Sequence, residues 1–149
     1  MANIAIVTDS TANLQAEWGA RYGIQVVPLK IHWGDETFLD GVDITPREFF
    51  ARLSRSRFLP ITSQPSSLDF LQVFERLDAA VEGVIVPSIS SGISGTVGTA
   101  QLAASQFTRL PVEVIDTRIT SMGTVLVIRA AIRAIEQGLP LREVKRIAA

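Results

Sequence analysis

GVIVPSISSGISGTVGTAQLAASQF, residues 83–107, decides how the rest of the chain reads. The β-branched run Val84-Ile85-Val86 gives way to a segment of Ser, Thr and Gly, and then to TVGTAQLAASQF, whose composition favours a helix. Strand, loop and helix in that order form the repeating unit of a parallel sheet covered by helices. The loop, PSISSGISGT at 87–96, carries four serines, one threonine and two glycines, with no acid or base among them.

The same alternation extends in both directions. NIAIVTD at 3–9 reads as a strand, followed by a helix near 14–22 with Leu14 and Trp18 at i, i+4, and IQVVPLKI at 24–31 reads as a second strand. Turn residues then flank a short extended ETFLD at 36–40. Thr45, Pro46 and Glu48 supply the N-cap, first position and capping box of a helix carrying Phe49, Phe50 and Leu53. After TSQPSS, the helix 68–77 presents Leu68, Leu71, Phe74 and Leu77. VEVID at 112–116 is a strand, and 123–137 is a helix closed by Gly138. The expected fold class is α/β, a mostly parallel sheet with helices on both faces.

LPLREVKRIAA at 139–149 opens an amphipathic helix through Leu141, Val144 and Ile147 that stops after about two turns. That is the pattern of a chain cut inside a longer protein. The expectation is self-association through an open mouth, or a disordered segment beyond Pro140.

Composition removes several classes of function. Apolar residues are 47% and charged residues 19% of 149, which suits one globular domain. A net charge of −1 without a basic run argues against nucleic acid as a partner. The absence of cysteine excludes disulfides and thiolate metal sites. MANIAIVTDS lacks a basic n-region, and the apolar run at 122–135 carries Arg129 and Arg133, so neither a secretory signal nor a transmembrane segment is expected. A cytoplasmic protein fits these features.

Ligands of open α/β sheets sit beyond the carboxyl ends of the strands. Thr8-Asp9-Ser10-Thr11, the 87–96 loop, and Asp116-Thr117 with Thr120 and Ser121 all fall there, while Thr62-Ser63-Gln64-Pro65-Ser66 precedes a helix. Such residues also cap helices and make turns, and Asp9 and Asp116 are open to either role. Residues 91–96, with two glycines before a helix N-terminus, suit an anion. No catalytic residue emerges. Ser94 lies in a broken G-x-S-x-G pattern without an assignable base, and His32, the one histidine, reads as a structural strand residue. No Walker lysine follows the glycines, and Asp35, Glu36, Asp40 and Asp43 lack the spacing of a calcium loop, so no metal or cofactor is expected.

IVTDST at 6–11, VVPL at 26–29, LDGVDIT at 39–45, TSQPS at 62–66, SSGISGT at 90–96 and IDT with SMG within 115–123 resemble, in order and spacing, the DegV family. The resemblance spans residues 1–149 as that family's N-terminal α/β domain, without counterpart to its C-terminal domain. It implies a lipid-binding protein without catalytic machinery, carrying a long-chain fatty acid and presenting it to a separate ATP-dependent fatty acid kinase subunit. Thr62 and Ser94 are implied to hold the carboxylate, assisted by the backbone around Gly95, with Ser63 a neighbour. Val97 stands where the family commonly has an aromatic residue. A different reading is an enzyme domain for a phosphorylated or carboxylated metabolite, with Asp9 or Asp116 as base. A third is an interaction module without a ligand.

Overall fold

The computed structural model describes residues 3–149. The strands β1 (Ile4–Asp9), β2 (Gln25–Val27), β6 (Gly83–Ser88) and β7 (Val112–Asp116) form a wholly parallel sheet in the order β2-β1-β6-β7. Pleating sorts its side chains onto two faces. Ile4, Ile6, Ile85 and Ile115 pack on one side against α5 (Met122–Glu136) and α6 (Leu141–Ala148), with Trp18 and Tyr22 of α1 (Ala16–Tyr22) at the margin. Val7, Val84, Val86 and Val114 pack on the other side against α3 (Ser67–Glu75) and α4 (Thr96–Gln106). The expected α/β class, with helices on both faces, is therefore the observed one.

IQVVPLKI is two strands, not one. Pro28 has no N–H to give a ladder and closes β2 at Val27; the chain resumes as β3 (Lys30–Trp33) in a separate antiparallel sheet. That sheet has the order β4-β3-β5, with β4 (Glu36–Leu39) joined to β3 across Gly34, at φ 62°, and β5 (Ile61–Ser63) on the other edge. The helix α2 (Pro46–Leu53) lies over it, where Phe49 and Leu53 pack with Ile31, Trp33 and Ile44. Its capping box is the expected one: Thr45 N–H donates to Glu48 Oε2 at 2.8 Å, and Glu48 N–H to Thr45 Oγ1 at 3.3 Å.

Two other expectations are corrected, and the packing at Val97, left open by the sequence, is defined. In α3 the buried pair is Phe70 and Phe74, while Leu68 is exposed, because the helix faces the valine side of the sheet through positions four apart. Val97 is buried in that same core, where a branched aliphatic side chain fits beside Ala100. Residues beyond Pro140 are ordered: Leu141 packs beside Gly83, Val144 and Ala148 are buried, and Lys145 reaches Glu113 at 2.7 Å.

Replacing Val144 with Ala removes two fully buried methyl groups at ~0.8 kcal/mol each plus a cavity term, so stability should fall by about 2 kcal/mol in denaturant titration. A change within about 0.5 kcal/mol, the range of ordinary surface substitutions, would mean that α6 does not pack on the sheet.

Candidate functional site

The site begins with a proline inside an interior strand. In β6 the even-numbered residues bond toward β7, as Val84 N–H does to Pro111 O at 2.9 Å, so the odd-numbered residues face β1. Pro87 is odd and has no N–H, and the β1–β6 ladder stops at Ile6 and Ile85. Side chains of β1 take over from there. Thr8 Oγ1 donates to Pro87 O at 2.8 Å, and Asp9, fully buried, accepts Ile89 N–H at 2.9 Å. The other Asp9 oxygen accepts Thr11 N–H at 3.0 Å and the Thr11 hydroxyl. Asp9 thus ties the loops after β1 and β6 together as the strands part. In the order β2-β1-β6-β7 this parting lies at the topological switch point.

A cleft of about 590 Å³ opens there, between these loops, the antiparallel sheet and α2. Thr62, Ser63, Ser94 and Gly95, the four residues singled out from sequence, all border it. They do not contribute alike. In the β3–β5 ladder Thr62 lies opposite Ile31 and Ser63 opposite Lys30, so alternation puts the Thr62 side chain on the face of Ile31, which lines the cleft. The Ser63 hydroxyl falls on the other face, 2.8 Å from His32 Nε2, while His32 Nδ1 lies 3.0 Å from Thr37 Oγ1. His32 is structural, as expected, and it occupies Ser63.

Of the loop's four serines, only Ser94 borders the cleft. Ser88 is buried, Ser90 Oγ accepts Gly92 N–H at 3.2 Å, and Ser91 Oγ donates to Asp116 at 2.6 Å. Ser94 Oγ lies 2.9 Å from Thr96 Oγ1 and accepts Thr96 N–H at 3.3 Å, at the first turn of α4. Gly95 lies against the movable end of a neighbouring side chain. A Cβ there would stand 2.6 Å from Gln64 Nε2, so the amide of Gln64 lies directly on the loop. Gln64 lines the cleft and was not singled out from sequence, where nothing marks its approach to Gly95.

Cap and turn roles hold for most of the remaining hydroxyls. Ser66 caps α3 and Ser10 Oγ accepts Leu29 N–H at 3.0 Å. The backbone is strained where the loops meet. Asn13, Arg118 and Ser121 have positive φ without being glycine, and Ser121, at φ 54° and ψ −130°, receives the Asn13 amide at 3.4 Å.

The cleft has an apolar lining and a rim of hydroxyls and amides with one carboxylate. Leu29, Ile31, Phe49, Phe50, Ile89 and Ile93 line it, and none of its lining residues is Lys, Arg or His. The sequence did not separate these apolar residues from core. Asp40 is the one carboxylate at its edge. Asp9 is buried and fully bonded. Asp116 accepts from Ser91 Oγ, Ser91 N–H and Arg118 N–H, and the Ser91 hydroxyl above all holds its carboxyl below the usual aspartate range. Among the described residues no group of His, Asp or Glu is arranged to hold a metal ion.

The fold is thus an α/β domain with a hydroxyl-rimmed cleft at the switch point of its parallel sheet, the place where ligands of open α/β sheets sit. The chain belongs to the DegV family: the profile described as "Uncharacterised protein, DegV family" matches residues 3–149. A DegV domain-containing protein of Caldanaerobacter subterraneus subsp. tengcongensis is 39% identical over 137 residues, 91% of this chain and 49% of that protein. Among solved structures, a DegV family protein from Thermus thermophilus, described for its fatty acid binding, is 35% identical with a TM-score of 0.86, covering 98% of this chain and 53% of that one. DegV from Bacillus subtilis, described as a fatty acid binding protein, is 28% identical with a TM-score of 0.93, covering 99% and 53%. The chain spans about half the length of these relatives.

A depressed carboxyl stabilises the fold fully above the ordinary aspartate pKa of about 3.9, and that contribution is lost as pH falls through the lower folded value. Ser91→Ala should therefore move the Asp116 titration upward, toward the ordinary range, in carboxyl-carbon NMR. An unmoved titration would show that the Ser91 hydroxyl is not what holds it down.

Proposed function

We propose that this domain binds a long-chain fatty acid through its carboxylate and presents it to a separate ATP-dependent kinase subunit for acyl phosphorylation. The observation that carries the reading is a cluster of neutral donors, Thr62, Gln64 and Ser94, beside an apolar lining, with Asp40 the one charged residue of the cleft. A phosphate dianion held there would lack compensating charge, whereas a carboxylate needs only a few hydrogen bonds. The relatives described as fatty acid binding proteins support the same ligand class. Thr62 and Ser94 are the head-group donors, with the Gly95 backbone beside them. Ser63 is assigned a supporting place because its hydroxyl is spent on His32.

Magnitudes divide the work. Hydrogen bonds to a charged acceptor contribute ~1.5–3 kcal/mol each. Around fourteen buried methylenes at ~0.8 kcal/mol each give on the order of 11 kcal/mol before ordering costs. The tail supplies affinity and the head supplies orientation. The domain itself has no catalytic role in this reading, since Asp9 and Asp116, the candidate bases, are committed to backbone and hydroxyl donors. It works in the cytoplasm and without a cofactor.

Solvent extraction of the purified protein followed by mass spectrometry should release a long-chain fatty acid, or the protein should take one up on loading. Stoichiometric release of a nucleotide or sugar phosphate would overturn the proposal. Thr62→Ala and Ser94→Ala should each weaken fatty acid binding by about 10- to 100-fold with little change in melting temperature. A collapsed melt with unchanged binding per folded molecule would make both residues caps.

Gly95→Ala offers a subtler check. Gly95 has an ordinary φ of −74°, so alanine costs no backbone strain and acts only by displacing the Gln64 amide. Folding should survive while fatty acid affinity falls, by calorimetric titration. Unaltered affinity would remove the Gln64–Gly95 contact from the binding site.

A further inference from the structure

Residues 54–61, from the end of α2 to the first residue of β5, read Ser-Arg-Ser-Arg-Phe-Leu-Pro-Ile. Phe58 is 70% exposed, Leu59 83% and Ile61 69%. Large apolar side chains this bare, and adjacent in sequence, mark an interaction surface. The turn that presents them is fixed. Trp33 Nε1–H donates to Ser56 Oγ at 2.8 Å, and Ser56 Oγ both donates to Phe58 O at 2.7 Å and accepts Phe58 N–H at 3.2 Å. Pro60 stiffens the backbone beyond.

Charge identifies the occupant. Arg55 and Arg57 are exposed and form no ion pair among the described residues, whereas Arg52 is paired with Glu36 and stacked on Trp33. Glu48, the one acid within 46–61, is occupied in the capping box of α2. An apolar tip flanked by free guanidinium groups fits the boundary of an anionic bilayer, where apolar side chains enter between acyl chains and guanidiniums bind lipid phosphates.

We propose that the 55–61 turn docks this domain on an anionic lipid surface. Thr62, on the wall of the cleft, follows Ile61 directly, while the pleat puts the Ile61 side chain on the opposite face of β5, with His32, so the turn docks with the cleft facing away from the inserted side chains. The proposal does not depend on what the cleft holds.

The test is co-sedimentation of the chain with phosphatidylcholine vesicles, with and without phosphatidylglycerol and free of fatty acid. Binding is expected to the anionic vesicles, falling about fivefold for each of Arg55→Gln and Arg57→Gln and falling again with added salt. The Phe58→Ser, Leu59→Ser double variant should lose binding while keeping the parent melting temperature, because both side chains are exposed. Three outcomes overturn the proposal: no binding to anionic vesicles, equal binding to neutral ones, or undiminished binding of the double variant. A dimer in sedimentation velocity that the double variant dissolves, without vesicle binding, would assign the turn to a second copy of the chain.

Discussion

A missing backbone donor shapes this domain. Pro87 stands at the position in β6 whose N–H would have continued the ladder to β1, so the two strands must separate where a parallel sheet would otherwise stay closed. Separation leaves polar backbone groups of both strands to be satisfied inside the fold, and leaving them bare would cost ~1–3 kcal/mol each. Thr8 and Asp9 meet that requirement with side chains. Asp9 then fixes the spacing of the two loops, and the position of Ser94 and Gly95 follows from it.

The second sheet completes the cleft by a related device. Pro28 ends β2 and sends the chain out of the parallel layer, so that β3, β4, β5 and α2 form a wall opposite the switch point. Alternation along β5 then decides which hydroxyl faces inward. Thr62 shares the face of Ile31, and Ser63 goes to His32. Two adjacent residues of one motif are thereby given different tasks by the pleat alone.

Most of the parallel layer was legible because β1, β6 and β7 are short β-branched runs followed by helical patterns, and the capping box of α2 was legible because its chemistry is local. The antiparallel sheet was hidden. Its strands are three or four residues long, below the length at which alternation carries a signal; β4 was glimpsed as the extended ETFLD of a local hairpin, but the pairing of β3 with β5 is set by contacts across more than twenty residues of chain. The cleft's polar rim was legible through TSQPS and SGISGT as a family likeness. Gln64 was passed over for want of a hydroxyl, and the apolar lining was indistinguishable because Leu29, Ile31 and Phe49 obey the same pattern as core. The loop's abundance of serine also misleads: Ser90 and Ser91 serve the loop's own geometry, and Ser94, itself bonded to Thr96, is the one of the four that borders the cleft.

The absence of a cation from the lining residues bears on the proposed chemistry. An arginine would hold a carboxylate bidentately and engage both oxygens through their lone pairs, making the oxygens poorer nucleophiles toward a phosphoryl group. A hydroxyl donates a single proton and leaves most of the oxygen lone pairs unengaged. On the proposed function, two hydroxyls and nearby amides would orient the head without neutralising it, and an acyl tail against the apolar lining would supply the binding energy that a salt bridge would otherwise have to provide. Affinity then resides in the part of the ligand that does not react, and the part that reacts is held only firmly enough to be aimed.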